Sequence, residues 1–438
     1  MFYNKFLEFF LLPMGDILFG SNYIKSLKKS REYNSLSSEE LSDIQSKKLK
    51  NILEFAKENC SLYKDLELKG SNPIEWLQQF PILDKTLLKT HTDSLLTRKK
   101  NKLIKFNSSG SSGIQATIYM SKSEVSQLQG ILTNWWELAG YKLGNPIIQT
   151  GITPNRRFVK KIKDIFLRTT YFSAFNTTEE EVLKLLKKAS ESNNKYILIG
   201  YASSINFFAT VSLNNNINVT FKSIISLGDK LFRHYRMNLE KAFKCKVYDT
   251  YGSSEGFMIA TQYDLEHLYI YAPQVYVEIL NDDYQPVNDG EMGNIIVTRL
   301  DGYSMPLIRY KIGDLGIKLP IEEYPKIKKL NFPLLKQIVG RDTDIVRTKE
   351  NEILNVHFFT GIFEYYAEIK QFRIVQKSIN AITIEIIKEE KYTNKISIEI
   401  ERLIMEKIID DSFKIYFEFV EFIPSTNSGK PQIIKSYL

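Results

Sequence analysis

The chain has 438 residues, 43% of them hydrophobic and 25% charged, with a formal net charge of +8. That length predicts two or three domains and an ordinary folded core, and the modest, scattered excess of lysine excludes a concentrated nucleic-acid-binding surface. Cys60 and Cys245 lie far apart, as do His91, His234, His267 and His357, so neither a disulfide framework nor a His/Cys zinc site is expected, and a reducing cytoplasm is the simplest setting.

Residues 2–19 are rich in Phe and Leu but interrupted by Lys5, Glu8, Pro13 and Asp16. The stretch is too broken to span a membrane and lacks a signal-peptide pattern. It reads as a helix packed on the protein's own body, with a membrane surface as the alternative. From Ser37 to about Leu66 the pattern is helical: Ser37 and Glu40 have capping-box spacing, and Leu41, Ile44, Leu49, Ile52, Leu53 and Ala56 recur on one face. Residues 80–85, Phe-Pro-Ile-Leu-Asp-Lys, mark a bend.

Residues 107–115 then read Asn-Ser-Ser-Gly-Ser-Ser-Gly-Ile-Gln between two strand-like runs. Gly110 and Gly113 leave backbone N–H groups uncovered, while Ser108, Ser109, Ser111 and Ser112 add hydroxyl donors, a combination suited to a polyphosphate. By themselves these residues fit a flexible linker equally well.

The middle of the chain alternates short apolar strands with amphipathic helices. Strands are expected at residues 146–149, 196–199, 224–227 and 246–248, and a helix is capped by Thr178 and Glu181. This alternation predicts an α/β layered architecture with sites in the loops after the strands. Past Gln274, turn-rich segments separate strand patterns at residues 275–280 and 294–298, which indicates a β-rich subdomain. Beyond Gly340 a β-β-α-β pattern (strands at 372–376, 381–387 and 414–422, helix at 395–409) indicates a separate small α+β domain. The expected division is therefore residues 1–339 and 340–438.

Four later segments place glycines and polar residues directly after apolar runs: Tyr248-Asp249-Thr250-Tyr251-Gly252-Ser253-Ser254-Glu255, Arg309-Tyr310-Lys311-Ile312-Gly313-Asp314, Gly340-Arg341-Asp342-Thr343-Asp344, and Ser428-Gly429-Lys430. An aromatic ring beside Glu255 can stack on a base while the carboxylate holds a divalent cation. Asp314, read as lying in a tight turn, can accept hydrogen bonds from two ribose hydroxyls, and Lys430 can neutralise charge developing on a phosphate. Taken singly, each is also an ordinary turn, linker or surface lysine.

In this order the motifs resemble those of the adenylate-forming enzyme superfamily, and more closely its phenylacetate–CoA ligase-like branch with relatives in capsule and O-antigen polysaccharide biosynthesis. The resemblance runs from about residue 40 to the end. It implies a large α/β N-terminal domain of layered sheets with a β-rich subdomain, carrying a small mobile α+β C-terminal domain. It implies that Ser108, Ser109, Gly110, Ser111, Ser112 and Gly113 hold the β- and γ-phosphates of ATP, that Tyr251, with Gly252 and Ser253, flanks the adenine, that Asp229 lines the adenine pocket, and that Asp314 holds the ribose. Glu255 then binds Mg²⁺, Arg341 opens the hinge segment, Lys430 stabilises the adenylation transition state, and Tyr201, Ala202 and Ser203 line the acyl pocket. The implied activity is ATP-dependent activation of a carboxylic acid, followed by acyl transfer to a thiol (CoA or a carrier-protein pantetheine) or to an amine such as an amino sugar or amino acid. A nucleotide-binding scaffold of the same fold without turnover is the alternative. The chain departs from the family pattern at Ile114 and Gln115, where relatives carry Lys or Pro, at Thr343 in the hinge, and at Asp229, where Glu is more frequent.

Overall fold

The computed structural model describes all residues except 1, 108–115, 152–157, 175–176, 193, 342–344, 351, 364, 367, 407, 409–411 and 425–431. A hairpin of β1 (Ile104–Asn107) and β2 (Thr117–Met120) pairs antiparallel and flanks the Ser/Gly segment. The central sheet follows. Its first half contains β3 (Ile147–Gly151), β4 (Thr169–Ser173), β5 (Ile197–Tyr201), β6 (Ser223–Leu227) and the start of β7 (Val247–Ser253), all parallel to their neighbours. Its second half is antiparallel: β8 (Phe257–Thr261), β9 (Leu268–Ile270), β10 (Val275–Leu280), β11 (Met292–Arg299), β12 (Tyr310–Lys318) and β13 (Leu334–Arg341). Together the described strands form one eleven-stranded sheet in the order β10-β11-β12-β13-β9-β8-β7-β6-β5-β3-β4.

The joint between the halves is β7. Its first residues pair parallel with β6, and from Thr250 onward it pairs antiparallel with β8 across a register shift at Tyr251/Gly252. A sequence pattern sees glycine and serine here and reads a loop after residues 246–248. The backbone instead stays extended to Ser253 because a new partner takes over its hydrogen bonds.

The parallel half is covered by helices, as buried parallel strands require. Thr178 caps Glu179–Ser190 through the expected box with Glu181. That helix, Ala202–Asn214 and Arg233–Phe243 bury Val182, Leu186, Phe208, Leu239 and Phe243 against Ile148, Leu198 and Ile224 of the sheet. The Ser37–Glu40 box also forms, with Ser37 Oγ accepting from Glu40 N at 3.1 Å and Glu40 Oε2 accepting from Ser37 N at 2.8 Å. The helix it starts, Ser38–Asn59, ends earlier than its apolar periodicity suggested, where Cys60 turns extended. Its face Leu49, Ile52, Leu53 and Ala56 packs on the antiparallel half.

After β13 the chain builds a second core. Strands β14 (Ile345–Arg347) and β15 (Ile353–Asn355) form a small ribbon. Strands β16 (Ile369–Ser378), β17 (Ala381–Lys388), β18 (Lys414–Phe419) and β19 (Ile434–Ser436) form a sheet in the order β18-β17-β16-β19. The Asn394–Met405 helix covers that sheet with Ile400 and Ile404 against Ile374, Ile382, Ile384 and Ile386. The whole has a large α/β layered body and a separate small α+β unit.

Residues 2–19 pack on the body through Tyr3, Leu7 and Glu8, but not as one helix. They form the Phe2–Phe6 helix, a wide turn at Leu7–Leu11 and the Leu12–Phe19 helix. Leu7 is fully buried, whereas Phe9, Phe10, Met14, Ile17, Leu18 and Phe19 are exposed.

Candidate active site

The candidate residues gather where the parallel strands end and the antiparallel half begins, the edge at which open α/β sheets bind ligands. Tyr251 is buried on β7, and its hydroxyl donates to Asp314 Oδ2 at 2.7 Å. Asp314 does not lie in a tight turn, as its glycines suggested. It sits within β12, at the end of a bulge in which residues 312–314 span a single residue of β11, and Gly313 takes φ +84° there. The bulge turns the Asp314 side chain toward Tyr251 and opposite Arg341 of β13, whose Nε lies 3.5 Å from Asp314 Oδ1. Arg341, which the resemblance makes the opening of the hinge segment, is the last residue of a sheet strand. Burial raises the Tyr251 phenol well above its usual value, with the Asp314 carboxylate adding to the effect, so the hydroxyl stays a donor.

Glu255 follows β7 and is 4% exposed. Its Oε1 accepts from Tyr310 at 3.1 Å and its Oε2 from Ser254 at 3.2 Å. Burial, then Glu255, raises the Tyr310 phenol as well. Gly256 has φ +90°, and a Cβ there would stand 2.6 Å from Arg299 Nη1 and 2.9 Å from Met120 Sδ. That close approach places the end of β2, at Met120, against the Glu255 turn. Residues 108–113 and Lys430 themselves lie outside the described residues. Gly252 approaches the Phe257 carbonyl, and the Ser253 hydroxyl is buried with no hydrogen-bond partner among the described residues.

A second cluster forms one strand away. The Asp229 carboxylate accepts from the backbone N–H of Ala202, from Ser203 N at 3.2 Å and from Ser203 Oγ at 2.5 Å, so it caps the Ala202–Asn214 helix. The Tyr201 ring packs over Gly228, where φ is +78° and any Cβ would come within 2.4 Å of the ring. Asp229 and the three acyl-pocket candidates thus form one unit. Burial, then Asp229, pushes the Tyr201 phenol up to about 12. The two clusters are joined by Thr250, whose hydroxyl donates to the Ser226 carbonyl at 2.7 Å, and by Lys230, whose ammonium donates to the Val339 carbonyl beside Gly340.

Three features escaped the sequence reading. Asp249, between the clusters on β7, has its carboxyl pushed up to about 7 by burial and by Asp229, against the pull of Arg236. Arg309 is buried at φ +48°, pairs with Glu278 at 3.0 Å, and donates to the Gln78 and Phe80 carbonyls at 3.3 Å. It thereby fixes the 80–85 bend, and Leu83 bonds to the backbone of Arg309 and Lys311. Arg299, 2% exposed, pairs with Asp301 at 2.8 Å. Both arginines sit in strand-like apolar surroundings, and a charge inside such a run was the signal available for them.

Carboxylates outnumber cations at this edge. Asp229, Asp249, Glu255 and Asp314 face the described cations Arg341, Lys230 and Arg236, so an anion entering here needs added positive charge or N–H donors. Among the described residues no three His, Cys, Asp or Glu side chains converge as an all-protein metal cage. A lone buried carboxylate such as Glu255 would suit Mg²⁺, which keeps much of its shell from water and substrate.

This architecture is that of the adenylate-forming ligases. Solved structures of 2-hydroxyisobutyryl-CoA ligase in complex with 2-HIB-AMP, in the postadenylation state, superpose with a TM-score of 0.72 at 16% identity, covering 93% of this chain and 91% of that one. The thioesterification-state structure of the same ligase, with 2-HIB-AMP and CoA, scores 0.60. ATP-bound MatB from Rhodopseudomonas palustris scores 0.54 at 15% identity over 77% of this chain and 68% of its own. In sequence, Protein CapK of Staphylococcus aureus is 27% identical, covering 93% of this chain and 91% of CapK. Residues 346–437 match the model of the CapK C-terminal domain.

Proposed function

We propose that this chain activates a carboxylic acid with ATP, releasing pyrophosphate and forming an acyl-adenylate, and then passes the acyl group to a thiol or an amine. The observation that carries the reading is the Tyr251–Asp314–Arg341 constellation beside buried Glu255, built at the switch edge of a ligase-type sheet. In the proposed roles the Tyr251 ring and the Gly252–Ser253 backbone flank the adenine. Asp314, held by the Tyr251 hydroxyl, accepts from the ribose hydroxyls. Glu255, held by Tyr310, is the protein ligand for Mg²⁺, which supplies charge neutralisation to the phosphates. Residues 108–113 cradle the β- and γ-phosphates, with the Ser253 hydroxyl, which has no partner among the described residues, as a further donor.

The chemistry explains why such parts are needed. A carboxylate is a poor electrophile because it cannot lose oxide. Attack of its oxygen on the α-phosphorus breaks the bond to the β-phosphate bridge and leaves a mixed anhydride from which AMP departs readily. Negative charge grows on pyrophosphate in that step, and in the proposed roles Lys430 and Arg341 meet it. The acyl group lies near Tyr201, Ala202 and Ser203, while Asp229 serves the adenine side and at the same time fixes the helix carrying Ala202 and Ser203. A small C-terminal domain beginning near residue 340 then turns to admit the acceptor. CoA or a carrier pantetheine is the thiol candidate, and an amino sugar or amino acid the amine candidate. Similarity to CapK supports a place in surface-polysaccharide metabolism, on the cytoplasmic side where ATP is available.

The test is pyrophosphate release with ATP, Mg²⁺ and a panel of carboxylic acids, repeated with CoA and with amines. Acid-dependent release is expected, with one acceptor class accelerating it. Nucleotide binding with no release for any acid would leave a silent scaffold. Lys430→Ala is expected to lower adenylation at least about 10²-fold while ATP still binds.

A further inference from the structure

We propose that residues 2–19 and the Phe158–Phe166 helix together form a docking face for an anionic lipid bilayer. The two segments are distant in sequence but adjoin in the structure. The Tyr3 hydroxyl donates to the Phe166 carbonyl at 2.7 Å, and the Arg168 guanidinium lies 4.5 Å from the Tyr3 ring centroid. Tyr3 and Leu7 fill the space left by the missing side chain of Gly144. Leu7 is the anchor, fully buried, and holds the segment to the body.

What this join presents to solvent is apolar. Phe6, Phe9, Phe10, Met14, Ile17, Leu18 and Phe19 are exposed on the first segment, and Ile162, Ile165 and Phe166 on the second. Ile17 is 84%, Leu18 77% and Ile165 73% exposed, which is far from the scattered single apolar residues that every surface carries. The Phe158–Phe166 helix is turned the wrong way for a surface helix of a soluble domain. Its Lys163 reaches back to Gln129 at 3.4 Å and over the Tyr23 ring, and Asp164 is half-buried, while its isoleucines face out.

The charges of the face favour an anionic surface. Glu8 and Asp16, the two acids of residues 2–19, both point inward. Glu8 pairs with Arg31, and Asp16 accepts from Ser21 Oγ and from the N–H groups of Tyr23 and Ile24, capping the next helix. Lys5, Lys161 and Arg168 stay exposed around the apolar patch. Apolar side chains ringed by cations, with the acids withdrawn, match the headgroup region of a bilayer carrying negative lipids. A second copy is a poorer occupant, because a twofold contact would bring the same cations face to face. Among the described residues no helix is long and apolar enough to cross a membrane, so contact is peripheral.

The inference stands apart from the catalytic reading, since none of these residues belongs to the candidate active site. The experiment is co-sedimentation of the full chain with vesicles of phosphatidylcholine alone and of phosphatidylcholine mixed with phosphatidylglycerol, at low and high salt. Pelleting with the mixed vesicles, weakened by salt, is expected. The double variant Ile17→Ser/Leu18→Ser and the single variant Ile165→Ser are each expected to lower partitioning at least about tenfold, with an unchanged thermal midpoint. The proposal is overturned if the chain stays in the supernatant with both vesicle types, if the variants pellet like the parent, or if pelleting is equal on neutral vesicles and indifferent to salt. Concentration-dependent dimerisation abolished by the same substitutions, without vesicle binding, would also overturn it and assign the face to a second copy.

Discussion

Asp314 shows how one side chain acquires a function from its partners. A carboxylate in an open turn would be a weak ligand for ribose; here a bulge aims it, the Tyr251 hydroxyl orients it, and Arg341 faces it from the next strand. In the proposed roles, Asp314→Ala should lower kcat/KM for ATP by roughly 10²-fold, while Tyr251→Phe, which keeps the ring and removes only the orienting donor, should cost about fivefold. Steady-state pyrophosphate-release kinetics with ATP varied would measure both, and equal losses would show that the phenol itself meets the nucleotide. Asp249 makes a different prediction. Its carboxyl is raised to about 7 in the folded chain, above its unfolded value near 3.8. The folded state therefore holds the proton more tightly, and stability from this group is greatest below about pH 4 and falls as pH rises through 7. Asp249→Asn should flatten that limb, by an effect of the order of 4 kcal/mol, in urea titrations repeated across pH.

At the level of elements, what matters is which strand hands over to which. The β7 strand changes partner in its middle, from β6 to β8, and that exchange puts Tyr251 and Glu255 at the sheet's switch edge. Its glycines and serines are therefore strand residues, which no local pattern can reveal because the second partner lies later in the chain. The capping boxes at Ser37 and Thr178 are the opposite case. Their four-residue spacing contains the whole interaction, so the sequence shows them directly. Between these extremes is the 80–85 bend. Its proline marks a break, yet what fixes it is Arg309, more than 200 residues away. Removing this guanidinium by Arg309→Ala leaves Glu278 buried and unpaired and should cost about 3–5 kcal/mol. Chemical denaturation would check this, and a loss under 1 kcal/mol would mean that Glu278 had found water.

Over the whole molecule, the body and the C-terminal unit each have their own core. The second gathers Ile374, Ile382, Ile384, Ile386, Ile400 and Ile404 without needing the central sheet. The ion pair between Arg347 and Asp282 at 3.5 Å spans the two, but both side chains are substantially exposed, so it adds little beside the buried contact of Ile345 with Leu315 and Val339. We expect the fragment 1–341 to fold with a single cooperative transition and to bind ATP, yet to release no pyrophosphate with any acid, because the lysine proposed for adenylation, Lys430, is missing. Circular dichroism with a pyrophosphate assay tests this, and full activity in the fragment would remove the C-terminal unit from catalysis. The exposed apolar face lies on the body, so the same fragment should retain vesicle binding.

Much about this protein is contained in its sequence. The helix starts, the buried parallel strands and the change to a β-β-α-β pattern past residue 340 rest on periodicity and caps, which act within a few residues of each other. The order of the Ser/Gly, Tyr-Gly-Ser-Ser-Glu, Gly-Asp and Ser-Gly-Lys segments was equally legible, and it led to the ligase architecture that the structure shows. Only the tertiary structure decided how those segments meet. It set Asp314 in a bulged strand opposite Arg341, and it joined Asp229 to Ala202 and Ser203. It also turned the apolar side chains of residues 2–19 outward beside Ile165. Each of these depends on contacts between residues tens to hundreds of positions apart, where burial and strand pairing override the local preference of glycine, aspartate or phenylalanine.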